Sequence, residues 1–245
     1  MTPRIFSAAP LASGQRIVLD PIAARHLREA LRLARGDALC LFDGRGGEYA
    51  ASVATVSRER VEAEVGAHLA VDRESPLAIT LAQGISRGER MDYTLQKAVE
   101  LGVHRIVPLA TERSTVRLDE ARGRKRMEHW QGIVRHACEQ SGRTALPPVD
   151  GIAAVPAFAA AERTALRLML DPAAAAALGE LAPAMAPPPD ICLAIGPEGG
   201  FSPGERVVLE AAGFVGARLG PRILRTETAA LVALSVLQSR LGDLG

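Results

Sequence analysis

The sequence is poor in aromatic residues, at 3%, and in lysine: Lys97 and Lys125 are the only two lysines among 29 basic residues. So few aromatics argue against a nucleic-acid binder that stacks bases on rows of Phe and Tyr. Neither charge is in surplus, since 29 basic residues meet 28 acidic ones for a net of +1. No global field draws a polyanion, so any such site must be a local patch. Cysteine is scarce and scattered. Cys40, Cys138 and Cys192 form no CxxC pair, which argues against a disulfide framework or a cysteine zinc site and points to a reducing compartment. His26, His68, His104, His129 and His136 show no metal-ligand spacing, so no metal is expected. There is no charged segment followed by an apolar run at the start, hence no expected signal peptide. The most apolar run, 229–237, falls short of the roughly 20 residues that cross a bilayer. These absences predict a soluble, cytoplasmic protein with no membrane partner. What remains is globular: 48% hydrophobic and 23% charged over 245 residues, enough for one large domain or two modest ones.

Two patterns divide the chain. Residues 1–72 read as short strands over 4–6, 16–19, 38–42, 48–56 and 61–65, with a Gly-rich turn at 44–47. One helix interrupts them, capped by Asp20 with Pro21 at its first position and stopped by Gly36. Several strands and one helix in so short a stretch predict a small β-barrel module. Over 73–245, strands alternate with helices. Strands are expected over 77–82, 105–109, 166–170, 191–195 and 214–219. Helices are expected over 90–101, 123–140, 172–181, 203–212 and 227–241. Alternation of this kind predicts a mostly parallel sheet covered on both faces. A link with Pro183, Pro187, Pro188 and Pro189 reads as a rigid loop.

The most informative segment is the apolar run Ile191 to Ile195 followed by Gly196-Pro197-Glu198-Gly199-Gly200. A buried strand running into glycines and then a helix places bare backbone where α/β folds bind ligands; a tight turn with no ligand is the plainer alternative. The chain has no GK[ST] phosphate loop and no GxGxxG dinucleotide fingerprint. Gly200-Phe201-Ser202-Pro203-Gly204 matches the hydrolase elbow GxSxG, but no histidine follows it, which excludes that triad order. Ser202 and Glu205 read instead as a capping box. The second segment is Leu219-Gly220-Pro221-Arg222-Ile223-Leu224-Arg225, with Thr226 able to cap an apolar helix. Arg222 and Arg225 among apolar neighbours suggest an anion; surface ion pairs are the alternative. That helix is apolar nearly all round, so it needs cover on more than one side, from the sheet and a partner subunit or from a monomer's core. Basic clusters lie at 113–126, including Arg113 and Arg117 beside Asp119 and Glu120, with Arg143 downstream. A second cluster is Arg25, Arg28 and Arg32, whose spacing predicts one helix face.

Together these pieces resemble the RsmE family, bacterial small-subunit ribosomal RNA uridine-N3 methyltransferases of the SPOUT superfamily. Arg4-Ile5-Phe6, His26-Leu27, Leu31-Arg32-Leu33 and Phe42-Asp43-Gly44 are similar to its PUA-like module. Gln96-Lys97, Glu100 to Val103, Glu112-Arg113-Ser114 and Glu139 to Arg143 are similar to its methyltransferase domain, and 196–200 with 219–229 to its cofactor loops. The resemblance implies an α/β fold: a small PUA-like β-barrel domain at 1–72, then a SPOUT-type parallel sheet with a trefoil knot at 73–245. It implies S-adenosylmethionine held by Leu170, Gly196, Pro197, Glu198, Gly199, Gly200, Leu219, Gly220, Ile223, Leu224, Arg225 and Thr228. It further implies a homodimer and 16S ribosomal RNA of the small subunit as substrate, met by Arg4, Arg25, His26, Arg32, Arg113 and Arg143. Losing the uridine N3 proton leaves an anion. Arg225 is the candidate to stabilise it, ahead of Arg222, with Glu198 or Glu227 to orient the arginine or accept the proton. Two rivals stand beside this reading: the same fold acting on another RNA position or class, and a non-enzymatic RNA-binding protein.

Overall fold

The computed structural model describes residues 2–116, 120–182 and 190–245. Arg117, Asp119 and the side chain of Glu120 in the basic cluster, and the prolines of the 183–189 link, lie outside what it describes. The chain divides into two units: residues 1–74 with Cys138–Leu146, and Ser75–Ala137 with Pro147–Gly245.

In the first unit, β1 (Arg4–Phe6), β2 (Arg16–Val18), β3 (Ala38–Phe42), β4 (Glu48–Val56) and β5 (Val61–Leu69) form one sheet in the order β1-β3-β4-β5-β2. Only β1 and β3 pair in parallel. Alternation places Leu39, Leu41, Val53, Val61, Ala63 and Val65 inward, where they pack with Ile5, Ile17 and Leu27. At about 1.5–3 kcal/mol per fully buried aliphatic side chain, this inward set is the unit's main source of stability. Helix α1 (Pro21–Arg25) starts as expected: the Asp20 carboxylate accepts from the N–H groups of Ile22 and Ala23. It does not continue as one helix to Gly36. Residues His26–Ala30 form a wider π turn, and Arg32 takes a left-handed φ of 53°. The wider turn breaks the 3.6-residue register, so Arg25, Arg28 and Arg32 do not share a face. Arg28 instead donates to the carbonyls of Ser57 and Arg58.

In the second unit, β6 (Ile79–Gly84), β7 (Arg105–Ala110), β8 (Ala153–Ala154), β9 (Leu166–Leu170), β10 (Ile191–Ile195) and β11 (Val215–Ala217) form an all-parallel sheet in the order β11-β9-β10-β6-β7-β8. Every residue of β10 is buried, as a central strand covered on both faces requires. Helices α2 (Glu89–Glu100), α3 (Glu120–Ser141), α4 (Val155–Ala161), α5 (Leu178–Leu181), α6 (Pro203–Ala211) and α7 (Thr226–Leu241) complete the order. Helix α2 packs on α7. It ends at Gly102, whose φ of 78° suits a glycine, and the fully buried Gln238 of α7 donates to the carbonyl of Leu101.

One expectation fails here, and two elements were not foreseen. The helix predicted over 172–181 is helical only at Leu178–Leu181. The preceding residues are drawn off by backbone pairing, Arg218 N–H to Ala176 O at 3.0 Å and Leu178 N–H to Arg218 O at 3.0 Å. Strand β8 and helix α4 were not anticipated, although Pro156 in the first turn is an ordinary helix-start signal.

Candidate active site

The carboxyl ends of β9, β10 and β11 open on a cavity of about 1070 Å³. Three loops wall it: the turn after β9, the loop after β10 and the loop joining β11 to α7. Of the predicted cofactor residues, Leu170, Gly196, Pro197, Glu198, Gly199, Gly200, Leu219, Gly220, Ile223, Leu224 and Arg225 all line it. Thr228 does not. It lies on the exposed side of α7, one turn before Val232.

Glycine and capping shape the β10 loop. A Cβ on Gly196 would lie 2.8 Å from Gly200 C and Phe201 N, so the loop closes on itself only because none is there. Gly200 N–H donates to Pro197 O at 2.8 Å, and Gly200 has a φ of 66° with open space where a Cβ would stand. The capping box forms as read: Ser202 accepts from Glu205 N–H, and Glu205 accepts from Ser202 N–H. The second oxygen of the buried Glu205 accepts from Glu112 N–H at 2.8 Å, which ties the 112–114 loop to the start of α6. A side chain on Gly199 would meet Arg113 Cβ at 3.0 Å, so Gly199 is packed against Arg113. Thr226 is the first residue of α7, and Arg225 occupies the cap position with no side-chain bond. The expected Thr226 cap is therefore absent.

The charges are ordered. Glu198 accepts from Arg87 N–H at 3.1 Å and from Arg90 at 2.7 Å. Burial pushes the Glu198 carboxyl up, but these donors and the loop's own N–H hold it below its ordinary value. A carboxylate so held is a poor proton acceptor and a good anchor for Arg90. Glu227 does not line the cavity. One of its oxygens is 3.9 Å from Arg90, and the other is buried without a hydrogen bond. Asp171 and Arg206, both at the cavity wall, form an ion pair. By contrast, the guanidinium groups of Arg222 and Arg225 are exposed at the cavity and have no ion-pair partner among the described residues. Arg90, Asp171 and Arg206 were missed in the sequence because nothing local marks them; only the fold brings them to this wall.

The residues fit a nucleoside-type cofactor. Bare glycine backbone offers polar edges, Leu170, Ile195, Leu219 and Leu224 offer an apolar slot, and the volume admits a ligand of that size. The model of an RNA methyltransferase domain matches residues 73–238, and that of an RNA methyltransferase PUA domain matches 20–66. A ribosomal RNA small subunit methyltransferase E from Buchnera aphidicola is 33% identical, over 99% of this chain and 98% of its own length. The chain belongs to the ribosomal RNA small subunit methyltransferase E family. A member from Mycobacterium bovis is 34% identical over 93% of this chain and 89% of its own. A methyltransferase E structure from Neisseria gonorrhoeae, bound to S-adenosylmethionine, is 40% identical with a TM-score of 0.90 and full coverage of both chains. A Legionella pneumophila structure with bound cofactor SAM is 43% identical with a TM-score of 0.95, also at full coverage.

The PUA-domain match over 20–66 falls in the first unit, and the structure places the RNA candidates of both units differently. Arg25 and Arg32 are exposed, His26 is half-buried and Arg113 is exposed at the cavity, where it donates to Gly199 O at 3.1 Å. Arg4 and Arg143, by contrast, are engaged within the first unit. Arg4 pairs with Glu48 and lies 4.9 Å over the Phe42 ring. Arg143 is 5% exposed and pairs with Glu74. Their burial withdraws both guanidinium groups from solvent.

Proposed function

We propose that this methyltransferase moves a methyl group from S-adenosylmethionine to N3 of one uridine in the 16S ribosomal RNA of the small subunit, in the cytoplasm and as a homodimer. Residues 1–72 serve as the RNA-binding module and 73–245 as a SPOUT-type catalytic domain whose cofactor loops belong to a trefoil knot. The observation that carries the base assignment is the pair of guanidinium groups without an ion-pair partner among the described residues, Arg222 and Arg225, on the loop that walls the cavity. A cofactor slot beside free cations suits a nucleophile that becomes an anion, as the uridine imide does when N3 loses its proton.

When bound, the cofactor supplies a methyl group on a positively charged sulfur. The glycine backbone at 196–200 and the apolar side chains of Leu219 and Leu224 orient it. Arg225 holds the negative charge that spreads over the two carbonyls flanking N3 once the N3 proton is lost to solvent. Glu198, anchored by Arg90, fixes the β10 loop and does not act as the base. The test is to incubate the protein and S-adenosylmethionine with small subunits from a strain lacking the modification, then map the methylated base. Methyl-3-uridine in the 16S RNA is the expected product. Methylation at a ribose, another base or another RNA overturns the assignment.

A further inference from the structure

We infer that Gln83 and Thr226 are positioning residues, a buried chain of hydrogen bonds that holds the cofactor loop in register with Arg225. The inference rests on the role of Arg225 proposed above. Three segments remote in sequence meet at one hydroxyl. Gln83, at the end of β6, donates from Nε2 to Thr226 Oγ1 at 2.9 Å, and Thr226 Oγ1 donates to Gly196 O at 2.7 Å. Gln83 is fully buried and Thr226 is 6% exposed, so water does not compete for these bonds.

The direction of the chain is fixed. Gln83 Nε2 gives its other hydrogen to Gly84 O at 3.0 Å, so the amide nitrogen must face Thr226. The hydroxyl then accepts from Gln83, and its single proton points to Gly196. Gly196–Pro197 offers one polar handle, the Gly196 carbonyl, because Pro197 has no N–H. The same peptide is pressed from the other side: a Cβ on Gly84 would lie 2.5 Å from Pro197 N and 2.9 Å from Gly196 C. The root of the β10 loop is thus clamped between the Gly84 backbone and the Thr226 hydroxyl. Thr226 makes no helix cap, so its side-chain bonds serve only this tertiary clamp. Arg225 is the preceding residue, and whatever fixes Thr226 fixes the backbone from which Arg225 reaches the cavity.

The full-length chain is used throughout, with S-adenosylmethionine affinity measured by calorimetry without RNA, single-turnover methylation at saturating cofactor, and thermal melting. Thr226→Val keeps shape and loses both bonds; because a displacement of about 1 Å costs on the order of 100-fold, we expect a rate loss of about 10–100-fold with weaker cofactor binding. Thr226→Ser keeps the hydroxyl and restores rate and affinity to within about threefold, since the bonds and not the methyl carry the effect. Gln83→Met follows Thr226→Val in direction, and the double variant is no worse than the weaker single, as for residues acting as one unit. Should Thr226→Val not fold, Gln83→Met with Thr226→Ser carries the same comparison. Losses that multiply, a Ser variant as impaired as Val, or a melting change with rate and affinity untouched overturns the inference. Arg225 is tested separately: a normal rate in Arg225→Ala overturns that reading while leaving the RNA-free affinity pattern to decide the clamp.

Discussion

At the scale of single residues, the structure separates arginines that hold the protein together from those left free. Arg4, Arg143 and Arg90 each have a carboxylate partner. Arg225 has none among the described residues and stands at the cavity. Its contribution should be greatest in the transition state, so Arg225→Ala is expected to slow single-turnover methylation by roughly 10²–10³, the scale for removing one such donor. Arg225→Lys should rescue only part, because a point charge lacks the planar fork, and calorimetric cofactor affinity should change little in either variant. A second residue-scale prediction concerns Glu74. Burial pushes its carboxyl up, but Arg143 and the N–H groups of Ala145 and Thr144 together hold it below its ordinary 4.5. A carboxyl with a lowered folded pKa stabilises the native state fully above its unfolded pKa, and that stability is lost as pH falls through the folded value. Glu74→Gln should therefore cost about 1 kcal/mol at pH 7, the low end of the scale for hydrogen bonds to a charged group, because the carboxylate is only partly buried. The gap from wild type should narrow below pH 4.5 as Glu74 protonates, which denaturant titrations across pH 3–7 would show.

At the scale of elements, the loop after β10 concentrates most of what the site needs. Glu205 closes the capping box of α6 and also accepts from Glu112 N–H. Losing a cap alone costs about 1 kcal/mol, but Glu205→Ala also strands a second N–H, so roughly 2–4 kcal/mol is expected from chemical denaturation. Ser202→Ala removes only the cap bond and should stay near about 1 kcal/mol. Gly196→Ala forces the loop root apart and should weaken S-adenosylmethionine binding more than Gly199→Ala, whose Cβ meets Arg113 and not the loop's own backbone. Much of this loop could be read in the sequence, because its signals are local: an all-apolar strand, three glycines, and Ser202 three residues before Glu205. The second loop was legible for the same reason. What escaped depends on distant partners. Residues 172–177 have helical composition, yet pairing with Arg218 overrides it. The helix after Asp20 widens at His26, which no residue spacing announces. Thr226 looks like a cap in sequence and serves a tertiary bond in the fold. The grouping of Cys138–Leu146 with the first unit rests on long-range bonds such as Thr144 N–H to Glu74 at 2.9 Å.

At the scale of the whole molecule, two properties follow from surfaces that the described chain leaves open. Helix α7 buries Ala230, Ala233, Leu234 and Leu237, while Val232 remains 37% exposed and Leu231 and Val236 are only partly covered. A second copy covering that face would remove it from water. Light scattering at micromolar concentration should give about twice 25.8 kDa, and Val232→Glu should shift the mass toward one chain. RNA affinity is the other property. A net charge of +1 supplies no overall attraction, so binding must come from local arginines and weaken with salt. Arg25 and Arg32 are exposed and have no ion-pair partner among the described residues, unlike Arg28, which is spent on the carbonyls of Ser57 and Arg58. Each arginine that meets a phosphate releases counterions, at a slope of about 0.7–0.9 in log affinity against log salt. Reversing both, Arg25→Glu with Arg32→Glu, should lower affinity for 16S ribosomal RNA at least about tenfold at low salt and flatten that slope by roughly 1.4–1.8. Cofactor affinity should hold, because neither residue lines the cavity. An unchanged RNA affinity would mean that residues 1–72 are not the RNA-binding arm, and that the contacts come from the second unit, whose cations include Arg113, Arg222 and Arg225 at the cavity.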